Sequence, residues 1–401
     1  MIFDLAKTRE DLGLRNRRAV LAEVLLKGPI ARTSIADKTG LTGASVSRIT
    51  RDLIKSGLIE ESEEVEDTGK VGRPYIALRG KPNKCFVACI TMNAFRQDVV
   101  IADITNATVA SRRLSIDNLT DYERALNNAV KTLQILIDEM GIEEHKMISC
   151  GVAITGATNP AIGVISSSIL GWQNVNVVDF LQKKLSMPVF LENLPNAKNL
   201  ALYGFGKIEG INNVVLFNMS LAVGCSLLLD GSLIRGSHNN IGTIKGMKIP
   251  NPISGRLEPF DHVAGGLAVI GKESLSQKND SNLAAKLMEM TTQADLGNSE
   301  VLKKFSNAAQ AFAYVVSMTN AMLHPQKIII SGPMAKCEAY CDTLRLELSK
   351  QIDASFVQDK LRFSTISSKK AAQTLAIYQT IATGKILKST NQQKSNQINI
   401  A

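Results

Sequence analysis

Apolar positions along the first eighty residues recur first at helical spacing and then at strand spacing. Between Asn16 and Leu26, Val20, Leu21, Val24 and Leu25 fall on one helical stripe, which Gly28-Pro29 ends. A second short helix is predicted from about Arg32 to Lys38, burying Ile35 and Ala36. Thr39-Gly40-Leu41 makes the turn, with Gly40 free to take the positive φ of a sharp helix end. Thr42 suits the N-cap of a third helix running to about Lys55. On that helix Val46, Ile49, Leu53 and Ile54 share one face, while Ser45, Ser47, Arg48, Arg51 and Lys55 fall elsewhere. Past Ser56-Gly57, Leu58-Ile59 and Tyr75-Ile76-Ala77-Leu78 read as two strands joined by a charged turn.

From Cys85 onward, apolar runs of strand length alternate with helical patterns. CFVACITMNAFRQDVVIADITNATV reads as two strands and a turn, a helix follows from about Val178 to Leu185, and a long helix around Ala308 to Leu323 leads into the buried strand of QKIIISGPM. Strands interleaved with helices imply an α/β architecture. The last residues, KILKSTNQQKSNQINIA, are polar and lack acids, as a disordered tail does. The expected division is residues 1–81, 82–384 and a tail of 385–401.

Composition narrows the function. A chain of 401 residues exceeds one compact core. No apolar run approaches the roughly 20 residues that cross a bilayer, and MIFDLAKTREDLGLRNRRAV has no apolar signal region; a cytoplasmic protein without membrane contact is expected. The net charge of +9 suits a polyanionic partner, although many enzymes are equally basic. Cys85, Cys89, Cys150, Cys225, Cys337 and Cys341 are scattered among apolar neighbours, as reduced core thiols are. Cys337 and Cys341 could share a helix face, but no Cys/His pair nearby completes a metal site, so no metal is expected.

Helix, turn and helix with a polar, basic outer face is the arrangement that duplex DNA requires. Short hydroxyl and guanidinium groups on the first turns of a recognition helix reach base edges, and further lysines and arginines hold phosphates. Arg48 and Arg51 are the leading candidates for contact with a double-stranded operator, Ser45 and Ser47 come next, and Thr42 and Lys55 flank them. Near the tip of the wing, Lys70 and Arg73 lie in a Lys-Val-Gly-Arg-Pro segment that can enter a narrow minor groove. Six acidic residues from Glu60 to Asp67 must then face away from phosphate, or the wing binds otherwise. A small helical bundle with a basic surface is the plainer alternative.

The sequence resembles the ROK family of repressors, open reading frames and sugar kinases from about residue 14 to 384. GLTGASVSRITRDLIKSGLIEE, ILGWQNV, MPVFLEN, LLLDGSLIRGSHNNIG and KIIISGP carry the resemblance, in family order and spacing. It implies an N-terminal winged helix-turn-helix followed by a two-lobed, actin-like (ribonuclease H-like) sugar-kinase fold. Members with the winged helix are typically repressors that release DNA when a sugar or a partner protein binds.

Departures from the family pattern imply that no catalytic residue, metal or cofactor remains. The first phosphate turn, D-x-G-x-T in family kinases, reads Ile90-Thr91-Met92-Asn93-Ala94-Phe95, and the second, glycine-rich, reads Ser220-Leu221-Ala222-Val223-Gly224. Bulky side chains there obstruct a pyrophosphate. Leu194 stands where E-N-D-A-N supplies the catalytic aspartate, and leucine accepts no proton. The zinc motifs read Gly242-Thr243-Ile244-Lys245-Gly246 and Ile253-Ser254-Gly255-Arg256-Leu257-Glu258, with no histidine or cysteine ligand.

Of the family's sugar-binding positions, Asn193 and Glu258 match, with Asn240 a looser candidate. They either hold a small polar ligand, such as a sugar or derivative, or sit in structural hydrogen bonds. Trp172 reads as core packing beside the cleft, with a stacking platform as the other reading. Three functions follow: a homodimeric or tetrameric regulator reading paired half-sites, a sugar kinase with a vestigial DNA module, or a constitutive DNA-binding scaffold. For the regulator, the resemblance implies a repressor of carbohydrate-related genes.

Overall fold

In a computed structural model of the chain, residues 12–66, 75–115, 118–204, 210–236, 241–271 and 283–387 are described. Three helices open it, Leu12–Lys27, Arg32–Thr39 and Gly43–Lys55, followed by the strands Ile59–Glu66 and Tyr75–Gly80. A two-residue strand, Ile30–Ala31, pairs antiparallel with Tyr75–Gly80, which makes a three-stranded wing sheet. Gly40 ends the second helix at φ 69°, and the Ser45 N–H donates to Thr42 Oγ1 at 3.3 Å to begin the third. The wing strands run well past the apolar positions that announced them, because ladder hydrogen bonding tolerates the polar residues between.

The large body is two lobes with the same sheet plan. In the first, Val189–Asn193, Met147–Ile154, Phe86–Met92, Gln97–Asp103 and Thr108–Arg113 lie side by side in that order. The second repeats it in reverse listing, with Ser232–Ile234, Val223–Leu229, Val214–Met219, Lys327–Ser331 and Leu361–Ser364. In each, the earliest strand pairs antiparallel with the next and parallel with a later one. Every residue of Phe86–Met92 and Val214–Met219 is buried, as strands covered on both faces require. The segment expected to hold two strands and a turn holds Phe86–Met92 and Gln97–Asp103; an edge strand not expected from the sequence, Thr108–Arg113, follows at its end, its mostly exposed, polar pattern giving no apolar signal. The long helix of the second lobe begins at Ser299 rather than Ala308, capped by Asn298, whose Oδ1 accepts from the N–H groups of Glu300 and Val301.

Two helices run between the lobes and the N-terminal unit. Leu194–Gly204 follows the last strand of the first sheet, and Ser368–Ala382 lies against it and against Met147–Ile154. The second is alanine-rich where it meets the sheet: a Cβ on Gly151 would come within 2.8 Å of the Ala372 carbonyl oxygen and the Ala376 Cβ. Ala371, Ala372, Ala376, Ile377 and Ile381 of this helix share one apolar cluster with Val20, Leu21, Val24, Ile35, Val46, Ile49 and Leu53. Arg18, 6% exposed, crosses the junction, and its Nε donates to the Ile381 carbonyl at 3.1 Å. The winged helix is therefore packed onto the large body and continuous with its core. Ile386 is also buried in this cluster, so the packed chain extends into the segment expected as a tail from 385. Two apolar residues at its start outweigh its polar composition. Residues 388–401 lie outside the described residues.

Candidate functional site

Successive residues of a helix are turned by about 100°. This rotation places Ala44, Arg48, Arg51 and Lys55 of Gly43–Lys55 on one stripe, opposite buried Val46 and Leu53. Ser47, Arg48, Arg51 and Lys55 are all exposed, and so is Thr42. Ser45 is half-buried, and its Oγ accepts from Thr42 Oγ1 at 3.0 Å, so both hydroxyls are engaged in the cap. Ser45 and Ser47 flank the basic stripe on opposite sides. Asp52, on the Ser45 side, pairs with Arg17 at 3.6 Å, which removes one unfavourable charge from the face.

Two of the acids at the base of the wing are paired. Arg32 holds Glu61 at 2.8 Å, and Arg79 holds Glu60 at 3.0 Å. These exposed pairs contribute little stability, but they offset negative charge at the base of the wing. Lys70 and Arg73 lie outside the described residues.

A cleft of about 650 Å³, including its open mouth, lies between the lobes. Its lining includes Ser168 and Asn193 from the first lobe, Asn218, Thr243 and Lys245 from the second, and Leu194 at the junction. Asn193 caps the helix Leu194–Gly204, its Oδ1 accepting the Asn196 N–H at 2.9 Å. Gly242 is required there: at φ +84° it lies so close to the strand Val223–Leu229 that a Cβ would meet the Cys225 carbonyl oxygen at 1.9 Å. Glu192, beside Asn193, is 1% exposed and fully engaged by Arg235 (2.6 Å), the Asn193 N–H and the Asn196 amide.

The structure separates Glu258 from Asn193. Glu258 does not line the cleft; its Oε1 accepts from Asn251 Nδ2 at 2.9 Å and Ser254 Oγ at 3.2 Å, closing the turn between the strands Lys248–Pro250 and Leu257–Pro259. These bonds tie Glu258 to the hairpin turn. Asn240 lies outside the described residues. Trp172 is 2% exposed, donates from Nε1 to the Leu119 carbonyl at 2.7 Å and meets Tyr122 edge-on, as core packing does. Sequence reasoning missed Lys245, Ser168 and Asn218. Lys245 stood in view, as the lysine interrupting the family's G-E-I-G-H pattern.

A sequence profile of the ROK family matches residues 88–377, and a profile described as winged helix-turn-helix DNA-binding matches residues 14–60. The chain belongs to the ROK family. Among characterised relatives, the xylose repressor of Bacillus spizizenii is 22% identical over 84% of this chain and 87% of its own length. The DNA-binding transcriptional dual regulator NagC of Escherichia coli is 23% identical over 80% and 81%. Among solved structures, a ROK family transcriptional regulator homologous to the E. coli MLC protein superposes with a TM-score of 0.74 over 94% of this chain and 99% of its own, at 20% identity. A ROK family glucokinase from Streptomyces griseus, solved with glucose and AMPPNP, gives 0.58 over 73% and 98%, at 13% identity. At these identities the structural matches establish the fold: a winged helix-turn-helix followed by the ROK kinase-like domain.

The residues present do not fit the nucleotide that ROK kinases use. Asn93 Oδ1 closes the first phosphate turn by accepting the N–H groups of Phe95 and Arg96 at 2.9 and 3.1 Å. Ala94 and Phe95 then pack against the apolar core of the second lobe, where phosphates would need an open backbone. In the second turn Leu221 and Val223 are buried in that same core. Leu194 is 5% exposed at the position of the ROK aspartate. Zinc does not fit either: side-chain hydrogen bonds of Asn251, Ser254 and Glu258 occupy the turn of the ROK cysteine motif.

Proposed function

We propose that this chain is a sequence-specific, DNA-binding transcriptional regulator, a repressor of carbohydrate-related genes, whose kinase-like domain senses a small ligand and catalyses no phosphoryl transfer. One observation carries the reading: a capped, amphipathic third helix presents Arg48, Arg51 and Lys55 as an exposed stripe while its other face is buried against the first two helices and the wing. The DNA-contacting set is Thr42, Ser45, Ser47, Arg48, Arg51 and Lys55, with Lys70 and Arg73 from the wing. The DNA unit ends near residue 81, whose N–H donates back to the Leu58 carbonyl, and residues 82–384 form the sensor. The xylose repressor and the dual regulator NagC, each matched over 80% or more of both chains, support the regulatory role.

Two copies are needed to read two half-sites. Tyr314, Met318 and Met322 are spaced by one helical turn on the helix Ser299–Leu323 and are 47%, 48% and 77% exposed, a stripe suited to pairing with a second copy. The place of action is the cytoplasm, where operators are found. Fluorescence anisotropy with fragments upstream of neighbouring genes tests the proposal. Nanomolar binding to one fragment, lost in the presence of the effector and steeply weakened by salt, is expected. Weak binding that ignores sequence contradicts it.

A further inference from the structure

The chemistry of the cleft points to the class of effector, an inference that rests on the sensor role proposed above. Among the described residues that line the cleft, Lys245 is the one charged side chain, and no carboxylate faces the cavity. Lys245 makes no ion pair among the described residues; its Nζ donates to Ser168 Oγ at 2.9 Å, across from the second lobe to the first. Asp261 is nearby, its N–H donating to the Lys245 carbonyl, but it does not line the cavity. A neutral sugar is held mainly by acceptors that take its hydroxyl protons, and charged acceptors make the strong bonds. Here the strongest group is a donor.

Two further features favour negative charge. Asn218, in the cavity wall, accepts from the buried ammonium of Lys198 at 2.7 Å, which places a second cation directly behind the lining. Lys198 has Ser331 Oγ as its other partner at 2.9 Å, and the charge that acts on it is another lysine, Lys336. The helix Leu194–Gly204 also begins at the cavity, with Asn193, Leu194 and Pro195 in the lining, so the positive end of its dipole faces the ligand. Glu192, the carboxylate beside Asn193, is already paired with Arg235 at 2.6 Å.

We propose that the effector is an anionic sugar derivative, a sugar acid or a sugar phosphate, whose negative group is held by Lys245 with Ser168 and Thr243 while Asn193 and Asn218 meet its hydroxyls. The anion takes the lysine's free N–H groups and so joins the lobes at the point where Lys245 already reaches across.

Calorimetry and thermal-shift measurements on the full chain test this, using a panel of aldonates, uronates and hexose phosphates beside the neutral parent sugars. Inorganic phosphate and sulfate control for charge alone. At least one anionic member is expected to bind where its neutral parent does not, and Lys245→Gln is expected to weaken that binding about ten-fold or more, as loss of a charge-assisted hydrogen bond does. The carboxylate and phosphate arms tell the two sources of charge apart. Equal binding of neutral parents, undiminished binding by Lys245→Gln, matching stabilisation by sulfate, or no response to any member each overturns the inference. Operator binding is followed in the same samples: if it persists without a ligand response, only the effector class has failed, whereas its absence defeats the regulatory reading itself.

Discussion

Replacing Lys198 by methionine removes a charge that the fold keeps from water. Lys198 is 6% exposed and, among the described residues, bonded only to neutral acceptors, Asn218 Oδ1 and Ser331 Oγ. Burial, reinforced by Lys336, lowers its pKa from the ordinary 10.5 to about 8. The separation, 10.5 less about 8, is about 2.5 pH units, or about 3 kcal/mol at 1.36 kcal/mol per unit. Because the folded value lies below the unfolded one, the folded chain loses this proton first. The burden is full below pH 8 and is relieved between pH 8 and 10.5, where the unfolded chain still holds the proton, so stability rises with pH across that window. Methionine removes this dependence, while leaving Asn218 and Ser331 without a donor at a cost of about 1–3 kcal/mol; at pH 7 the two effects largely offset. The measurement is urea unfolding of both proteins from pH 7 to 10.5. The wild-type stability minus that of Lys198→Met is expected to climb by about 3 kcal/mol, with contributions common to both chains cancelling in the difference. A difference that stays flat refutes the reasoning.

Other consequences can be checked separately. Arg18→Met removes the donor to the Ile381 carbonyl, and a loss of about 1.5–3 kcal/mol is expected, seen as earlier proteolytic release of the N-terminal unit; unchanged digestion contradicts the packed junction. Leu194→Asp is expected to gain no ATP-dependent phosphorylation of any hexose in a coupled assay, because Ala94 and Phe95 still fill the phosphate turn; turnover above background contradicts this. Burial pushes Cys85, Cys150, Cys225 and Cys341 up to about 12 and raises Cys89 and Cys337. The native thiols should therefore react slowly with a disulfide reagent at pH 8 and all six quickly in urea; a fast native thiol counts against it.

What was legible in the sequence was what local chemistry decides. Gly40, Thr42 and the apolar spacing of Val46, Ile49 and Leu53 located the third helix because turn, cap and buried face are each set by residues a few positions apart. Thr108–Arg113 escaped because an exposed edge strand leaves no apolar alternation. The start of the helix at Ser299 escaped because polar residues surround its Asn298 cap. At the cleft, Asn193 was visible, whereas Lys245, Ser168 and Asn218 come together only through the approach of two lobes. Glu258 matched by position, yet its carboxylate is committed to Asn251 and Ser254, a choice made by the turn and invisible in the spacing. Packing of Arg18 onto Ile381, 363 residues away, has no sequence signal at all.

The central claim is that the stripe of Arg48, Arg51 and Lys55 grips duplex DNA. The direct test is operator affinity as a function of salt for the wild type and for the double variant Arg48→Ala, Arg51→Ala, with circular dichroism confirming that both fold. Each phosphate contact contributes about 0.9 to the slope of log affinity against log salt. If both arginines hold phosphates, the slope is expected to fall by about 1.8 per half-site, with operator binding at moderate salt lost. An unchanged slope and undiminished affinity in a folded double variant contradict the claim.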